Sequence, residues 1–467
     1  MVSGSEQAPD VATRQRRQRA WYFYDWANSA YVTTTATVLF GPYLTSVAKQ
    51  AACPGQDTDL VCETNLSVLG LPVNPGSLAL YTITAATLLS AFVLPVVGAL
   101  VDRTGRKVAL MSGFAWVGAL AAACLGFVAG TNWGLGVVLQ MIAALCLGSS
   151  LVAYDAILID IATPDERDRV SSRGWALGYA GGGLLLAVNL GVVTAHDALG
   201  MSTGTAVRLS LFTAGLWWAL FTLVPYLGLR SLPIVAGERS ATAAGRGSAG
   251  QSLARQSFGQ LRETFTHLRG YPQTLLFLLA YLLYNDGIQT VISASSIFGQ
   301  EQLHLSSDQL IIVILVVQFV AMGGALLFGQ LAARFGAWRS ILASLGLWCV
   351  VVSLGYLVPD RAFVAFLGLG VFIGIVLGGS QALSRSLFSQ LIPRGREAEY
   401  FSLYQAAERG TSWFGTLLFG LVFQITHSYR YAILALVLFF IVGGVLLSRV
   451  DIRRGITDAG NTVPAVV

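Results

Sequence analysis

Charged and amide side chains recur inside stretches of this sequence that are otherwise apolar, and their types limit the chemistry open to them. Tyr24-Asp25-Trp26-Ala27-Asn28-Ser29-Ala30-Tyr31 holds a carboxylate and an amide three residues apart, so on a helix Asp25, Asn28 and Tyr31 share one face. Tyr284-Asn285-Asp286-Gly287-Ile288-Gln289 sets a carboxylate among two amides beside a helix-loosening glycine. Elsewhere Tyr154 and Asp155 precede Asp160, Gln381 and Ser384 precede Arg385, and Glu408 abuts Arg409. A carboxylate in such a place can hold a proton or an ammonium group, and a guanidinium can hold a carboxylate. An ionisable group in an apolar helix is costly, so it is kept for a pathway or for a partner. Both readings stand for Asp25 and Asp286: a titrating or substrate-binding group, or one paired with an arginine. For the later segments, salt bridges that break and re-form stand beside substrate contact. Enzyme chemistry finds no foothold, because an HExxH pattern is absent and His196, His267, His304 and His427 are scattered. There is no phosphate-cradling loop and no metal-ligand spacing, so no cofactor or metal is expected.

The elements that must position these groups are membrane helices. Only 11% of the 467 residues are charged and 55% are hydrophobic, against roughly 25% charged in soluble domains. The apolar residues gather in runs, among them 78–100, 108–128, 135–159 and 431–447, each about one bilayer crossing long. Runs such as 310–320 show no period-two polarity, which argues against a barrel, and the 51 glycines suit closely packed helices. Spans are expected near 20–47, 78–101, 108–129, 134–160, 174–195, 207–229, 271–297, 309–331, 339–358, 362–390, 403–426 and 431–449. The expected fold is an all-α membrane protein of twelve transmembrane helices in two pseudo-symmetric six-helix halves. Its parts are a tail at 1–19, halves at 20–229 and 271–449, a linker at 230–270 and a tail at 450–467. In the linker Leu253, Ser257, Leu261, Phe265 and Leu268 fall on one helical face, as on a helix lying along a membrane surface. At 1.5 Å per residue Asp25 stands about 8 Å into its span and Asp286 about 22 Å beyond Tyr271, so the correspondence of spans 1 and 7 reads as loose.

Charge placement orients the bundle. All but Lys49, Arg208, Arg361, Arg430, Arg385 and Arg409 of the 29 basic residues fall in the tails or in alternate connections on one side. By the positive-inside rule both termini are cytoplasmic, and the net charge of +5 marks a membrane face and not a nucleic-acid surface. The N-terminal stretch lacks a short apolar region with a cleavage site, so the first span reads as its own anchor. Of the five cysteines, Cys124, Cys146 and Cys349 read as packing residues, whereas Cys53 and Cys62 share an outer polar loop where a disulfide can form.

Gly98-Ala99-Leu100-Val101-Asp102-Arg103-Thr104-Gly105-Arg106-Lys107 closes span 2 with a carboxylate, two glycines and a basic turn, a pattern suited to a cytoplasmic latch. Gly329 to Trp338 repeats it after span 8, with Ala333 in place of the aspartate and Ala337 and Trp338 in place of the basic pair. The first copy resembles the loop 2–3 signature of the major facilitator superfamily, which Asp102, Arg103, Gly105, Arg106 and Lys107 match. The resemblance implies that this loop braces an outward-open state near helix 11, with a conformational role for Asp102 and Arg106. The latch is then asymmetric, carried by the first half.

A narrower resemblance rests on four phrases: residues 24–31 quoted above, Arg173-Gly174-Trp175-Ala176-Leu177-Gly178-Tyr179, Tyr284-Asn285-Asp286-Gly287, and Gly379-Ser380-Gln381-Ala382-Leu383-Ser384-Arg385-Ser386. They look like those of the vacuole-effluxer branch, the autophagy-related amino-acid permeases and their bacterial relatives, over residues 21–447. The branch implies export of small molecules, amino acids in its fungal members. The expected function is secondary transport of a small hydrophilic solute by alternating access, with proton-coupled efflux. Asp286 and Asp25 are the titrating or ammonium-binding groups, and Arg385 is a carboxylate partner or gate. The expected setting is a monomer in the plasma membrane, with a small-molecule substrate, protons and lipid as partners and no nucleic acid. Export of sugars, nucleosides or drugs, or a non-transporting scramblase or sensor bundle, are the alternatives.

Overall fold

The computed structural model describes residues 10–56, 62–234, 266–410 and 412–467. In the first half α1 is one rod from Val11–Ala30 through a π-helical stretch, Tyr31–Leu39, to Phe40–Ala52. It is followed by α2 Pro75–Thr104, α3 Lys107–Cys124, α4 Trp133–Ile161, α5 Arg167–Thr194 and α6 Thr203–Leu229. In the second half run α7 Pro272–Ile297, α8 Ser307–Phe335, α9 Ala337–Leu357 and α10 Phe363–Gln390. There α11 comprises Glu397–Gly410 and Ser412–Thr426, and α12 comprises Tyr429–Ala435 and Val437–Ser448. A short α13, Ile452–Asp458, follows. Between α1 and α2 lies an antiparallel hairpin, β1 Leu66–Val68 with β2 Leu71–Val73.

Local chemistry sets the helix ends. Asn74 caps α2 by accepting the Gly76 N–H at 2.9 Å, with Pro75 in the first turn, and Gly105 ends it at φ +64°, a left-handed value that favours glycine. Reciprocal capping boxes start the turn before α5 at Thr163/Glu166 and α8 itself at Ser306/Gln309. Among the described residues 10 helices are long and apolar enough to cross a membrane. The exceptions are α1, which carries Arg14, Arg16, Arg17, Arg19 and Asp25, and α11, which carries Glu397, Glu399, Glu408 and Arg409 and is described in two segments. Both complete the expected twelve.

The packing is duplicated. In the first half α1 lies against α5 and α6, α4 against α2 and α3, and α3 against α6; in the second, α7 lies against α11 and α12, α10 against α8 and α9, and α9 against α12. Between halves α2 meets α11 as α8 meets α5, and α4 meets α11 as α10 meets α5. Each of these contacts is carried into another by advancing six helices, the signature of a two-fold axis between halves. Side chains repeat it: Tyr24 on α1 bonds Ser150 on α4 at 2.5 Å, and Tyr284 on α7 bonds Ser384 on α10 at 2.7 Å.

This equivalence corrects the depth expected from sequence. The first rod starts at Val11, inside the arginine-rich stretch, so Asp25 is about 21 Å from its start and Asp286 is about 21 Å from Pro272, at 1.5 Å per residue. Hydropathy placed the start too late because arginines at a helix end read as tail. Since Tyr24 matches Tyr284, the partner of Asp25 by symmetry is Asn285. Of the amphipathic linker helix expected over 252–270, residues 252–265 lie outside the described residues.

Both termini lie on one face, since Arg14 pairs with Glu166 at 3.1 Å in the α4–α5 connection and the Ala465 N–H bonds Asp165 there at 2.7 Å. On this face the halves are sealed. Among the described residues, the hydrogen bond between halves furthest from it is Gln318 Nε2 to Thr33 Oγ1 at 3.3 Å. Beyond Gly410 the second segment of α11 packs on α7 and α12, within its own half. The space between halves therefore opens away from the termini.

Candidate functional site

Arg385 of α10 is the centre of the seam. It is 3% exposed, and its guanidinium crosses into the first half, where Nη2 meets Asp25 Oδ2 at 3.1 Å and Nη1 meets Asp155 Oδ1 at 3.5 Å. Nε donates to Ser171 Oγ at 3.0 Å and Nη2 to the Ser171 carbonyl at 3.1 Å, so α1, α4 and α5 all hold it. Aromatic faces close the remaining sides: Cζ lies 4.8 Å from the Trp21 ring centroid, 5.5 Å from Tyr154 and 5.4 Å from Trp175. Trp21 stacks on Tyr154 at 4.3 Å, and the Tyr154 hydroxyl donates to Asp25 Oδ2 at 2.7 Å. Gly174 makes room, since a Cβ there would come 2.5 Å from Asp25 Oδ2 and 3.1 Å from Arg385 Nη2.

The cluster continues into the second half. Gln405 on α11 donates to Asp155 Oδ2 at 2.8 Å and to Glu408 Oε2 at 3.3 Å, the Glu408 carbonyl accepts from Asn285 Nδ2 at 3.2 Å, and Gln381 Nε2 donates to Asn285 Oδ1 at 3.0 Å. Asp25, Tyr154, Asp155, Asn285, Gln381 and Arg385 therefore form one polar path. Three expected residues stand apart from it. Asn28 turns back to bond the Tyr24 carbonyl at 2.6 Å, and Gln289 is half-buried on α7. Asp286, fully buried, accepts the Gly415 N–H through Oδ2 at 2.6 Å, while Oδ1 has no partner. Sequence reasoning passed over Ser171, Trp21, Trp175 and Gln405. Serine and tryptophan in a helix read as packing, and the one available signal was that Trp175 and Gly174 stand in one of the four phrases.

Below the cluster the latch residues seal the face bearing the termini. Asp102 accepts the N–H groups of Ala398 at 3.0 Å and Glu399 at 2.8 Å, a carboxylate at the positive start of α11. Gly98 lets α2 approach, because a Cβ there would fall 2.6 Å from the Ala398 carbonyl oxygen. Lys107 pairs with Asp160 at 2.9 Å and lies 3.9 Å from Glu397. Arg103 and Arg106 are exposed. A complementary charge stands at the other side of the same turn, where Arg167 Nη1 donates to the Ser389 carbonyl at 2.9 Å, at the negative end of α10. On the far side Cys53 and Cys62 are joined in a disulfide.

Comparison with known proteins accounts for this arrangement. Residues 13–460 match the family model described as vacuole effluxer Atg22 like. The chain belongs to the Atg22-like vacuole effluxer family. An uncharacterized MFS-type transporter, YxiO, of Bacillus subtilis is 29% identical over 454 residues, covering 96% of this chain and 98% of that protein. Autophagy-related protein 22 of Saccharomyces cerevisiae is 26% identical over 502 residues, covering 96% and 94%. Among solved structures, the proton:xylose symporter XylE superposes with a TM-score of 0.66 at 13% identity over 94% of this chain and 96% of its own. A bacterial homologue of the iron transporter ferroportin in an outward-facing state gives 0.63 at 14% identity over 94% and 98%. At such identities the structures share the fold alone, the major facilitator fold. This effluxer is accordingly an integral, multi-pass membrane transporter of that superfamily. Its four signature phrases meet in space: 24–31 supplies Asp25, 173–179 supplies Gly174 and Trp175, 379–386 supplies Arg385 and Gln381, and 284–287 supplies Asn285.

Proposed function

We propose that the chain moves a small hydrophilic solute out of the cell by alternating access, with protons as the coupling ion and amino acids the first substrate class to test. It works as a monomer in the plasma membrane with both termini in the cytoplasm. The observation that carries this reading is Arg385, which belongs to one half and is held by Asp25 and Asp155 of the other. Opening the face that bears the termini parts the halves and strips both carboxylates of their cation. An uncompensated buried charge costs on the order of several kcal/mol, so a carboxylate parted from Arg385 binds a proton or a cationic group of the solute. Closing returns Arg385 and expels it, which ties each crossing to the movement of charge. The amides Asn285 and Gln381 line the route in the second half, and Asp286 and Gln289, apart from the seam cluster, follow further along α7.

Proteoliposomes loaded with labelled amino acids under an imposed pH gradient test the idea. Asp25→Asn and Asp155→Asn should each lower gradient-driven flux at least about tenfold, the equivalent of about 1.4 kcal/mol, while solute exchange without a gradient survives. Gradient-driven flux that is undiminished in the double variant removes these carboxylates from coupling.

A further inference from the structure

Arg385 is fully engaged, and a second arginine in the space between halves is not. Arg409 ends the first segment of α11 one residue before Gly410, is half-buried, and reaches towards the first half, where a Cβ built on Gly148 of α4 would lie 3.7 Å from its Nε. Its side-chain hydrogen bond among the described residues is a long one, Nε to Gln405 Oε1 at 3.4 Å. No described carboxylate oxygen comes within the 4.0 Å of an ion pair, although Glu408 is next to it in the chain. Charges removed from bulk water are normally paired, and an arginine in a membrane interior more so than elsewhere. This guanidinium thus stands in the seam where the first segment of α11 packs on α4 of the other half.

We propose that Arg409 is the anion receptor of the pathway, docking a carboxylate or phosphate group of the substrate between α11 and α4. The inference rests on the transport reading above and narrows it to solutes bearing an oxyanion. A guanidinium has five N–H donors, and one is used here, which leaves a bidentate edge for an incoming oxyanion. Gln405 supplies a link to the seal: its Oε1 accepts from Arg409 while its Nε2 donates to Asp155 at 2.8 Å. An anion that draws Arg409 away frees Gln405, and one of the ties on Asp155 loosens before the halves part. Arg385 is thus the seal and Arg409 the receptor.

Phenylglyoxal, which condenses with accessible guanidinium groups, reads this directly on the purified full-length protein, with Arg409 and Arg385 followed by peptide mass mapping. The reaction is run with L-lactate, L-leucine, L-glutamate or inorganic phosphate, and with uncharged lactamide or glycerol as controls. Arg409 should be modified and Arg385 spared, and at least one oxyanion should slow modification of Arg409 about tenfold where the controls do not, as expected of a charge-assisted hydrogen bond. Protection by carboxylates alone or by phosphate alone names the source of the anion. An unreactive Arg409, or one equally reactive with every oxyanion, overturns the proposal. In proteoliposome exchange of the protecting solute, Arg409→Gln should fall about tenfold and Arg409→Lys should recover part of it. Protection without any exchange by the unaltered protein sinks the transport reading and leaves the receptor. Exchange indifferent to Arg409→Gln sinks the receptor and leaves transport.

Discussion

Asp286 takes its hydrogen bond on one oxygen only, from Gly415 in the first turn of the second α11 segment. That position lets it act as a cap, and the bare Oδ1 leaves a place for a proton. The two roles separate by substitution. Asparagine offers an oxygen to the same N–H but has no proton to exchange, so Asp286→Asn should lose gradient-driven flux, keep solute exchange and leave the melting temperature nearly unchanged. Asp286→Ala should also lower stability by about 1 kcal/mol, the usual worth of a cap; gradient-driven flux that survives in Asp286→Asn would make the residue a cap alone. Which residues of the cluster could be read from sequence follows from cost. Asp25, Asp155 and Arg385 stood out because a charge in an apolar run demands a reason. Their mutual pairing did not, since they lie on three helices of two halves and no spacing along the chain encodes that meeting. Ser171 and Trp21 were hidden because their residue types are cheap in a membrane.

At the scale of elements, α11 is the rod least like its neighbours. Each of its two segments begins on a carboxylate from another helix, Asp102 of α2 at Ala398 and Glu399, and Asp286 of α7 at Gly415. The latch motif was legible because it is contiguous, and so was the degeneracy of its second copy: α8 ends against Ser172 of α5 through Gly329, with Ala333 where a capping carboxylate would stand. The approach of α2 to α11 gives a test. A side chain at position 98 would meet backbone atoms, the Ala398 carbonyl oxygen at 2.6 Å and the Glu399 Cα at 3.0 Å, which cannot rotate away. Gly98→Val should therefore pry the two helices apart, at a cost of about 1–3 kcal/mol to the closed state. Spin labels at positions 169 and 394, one in each half and both exposed, should report a longer distance in this variant; an unchanged distance distribution would mean that this contact does not hold the seal.

For the whole molecule, closure of the face with the termini is shared between that latch and the chain after α12. Ile452 and Ile456 of α13 are buried, and Gly455 packs on Leu391 and Gln273, which fixes this helix to the second half. Asn461 Nδ2 then donates to the carbonyls of Gln390 at 2.9 Å and Ile392 at 2.7 Å, at the end of α10. Four residues later the Ala465 N–H reaches Asp165 of the first half at 2.7 Å. The segment thus crosses the seam, over a cavity of about 550 Å³ lined by Arg14, Lys107, Arg167 and Arg394. From sequence this stretch reads as a tail, because it has no apolar run and its hold depends on one amide and one backbone N–H. Crossing the seam by a single hydrogen bond makes the strap weak, about 1 kcal/mol, enough to change the ratio of closed to open molecules about fivefold. Removing residues 460–467 should raise the open fraction by that factor, read by the same pair of spin labels. Asp165→Ala, read by the same pair, should reproduce most of the change, because it deletes the bond from the other side. If the shortened chain opens and Asp165→Ala does not, the strap acts through its packing on the second half and not by bridging the two.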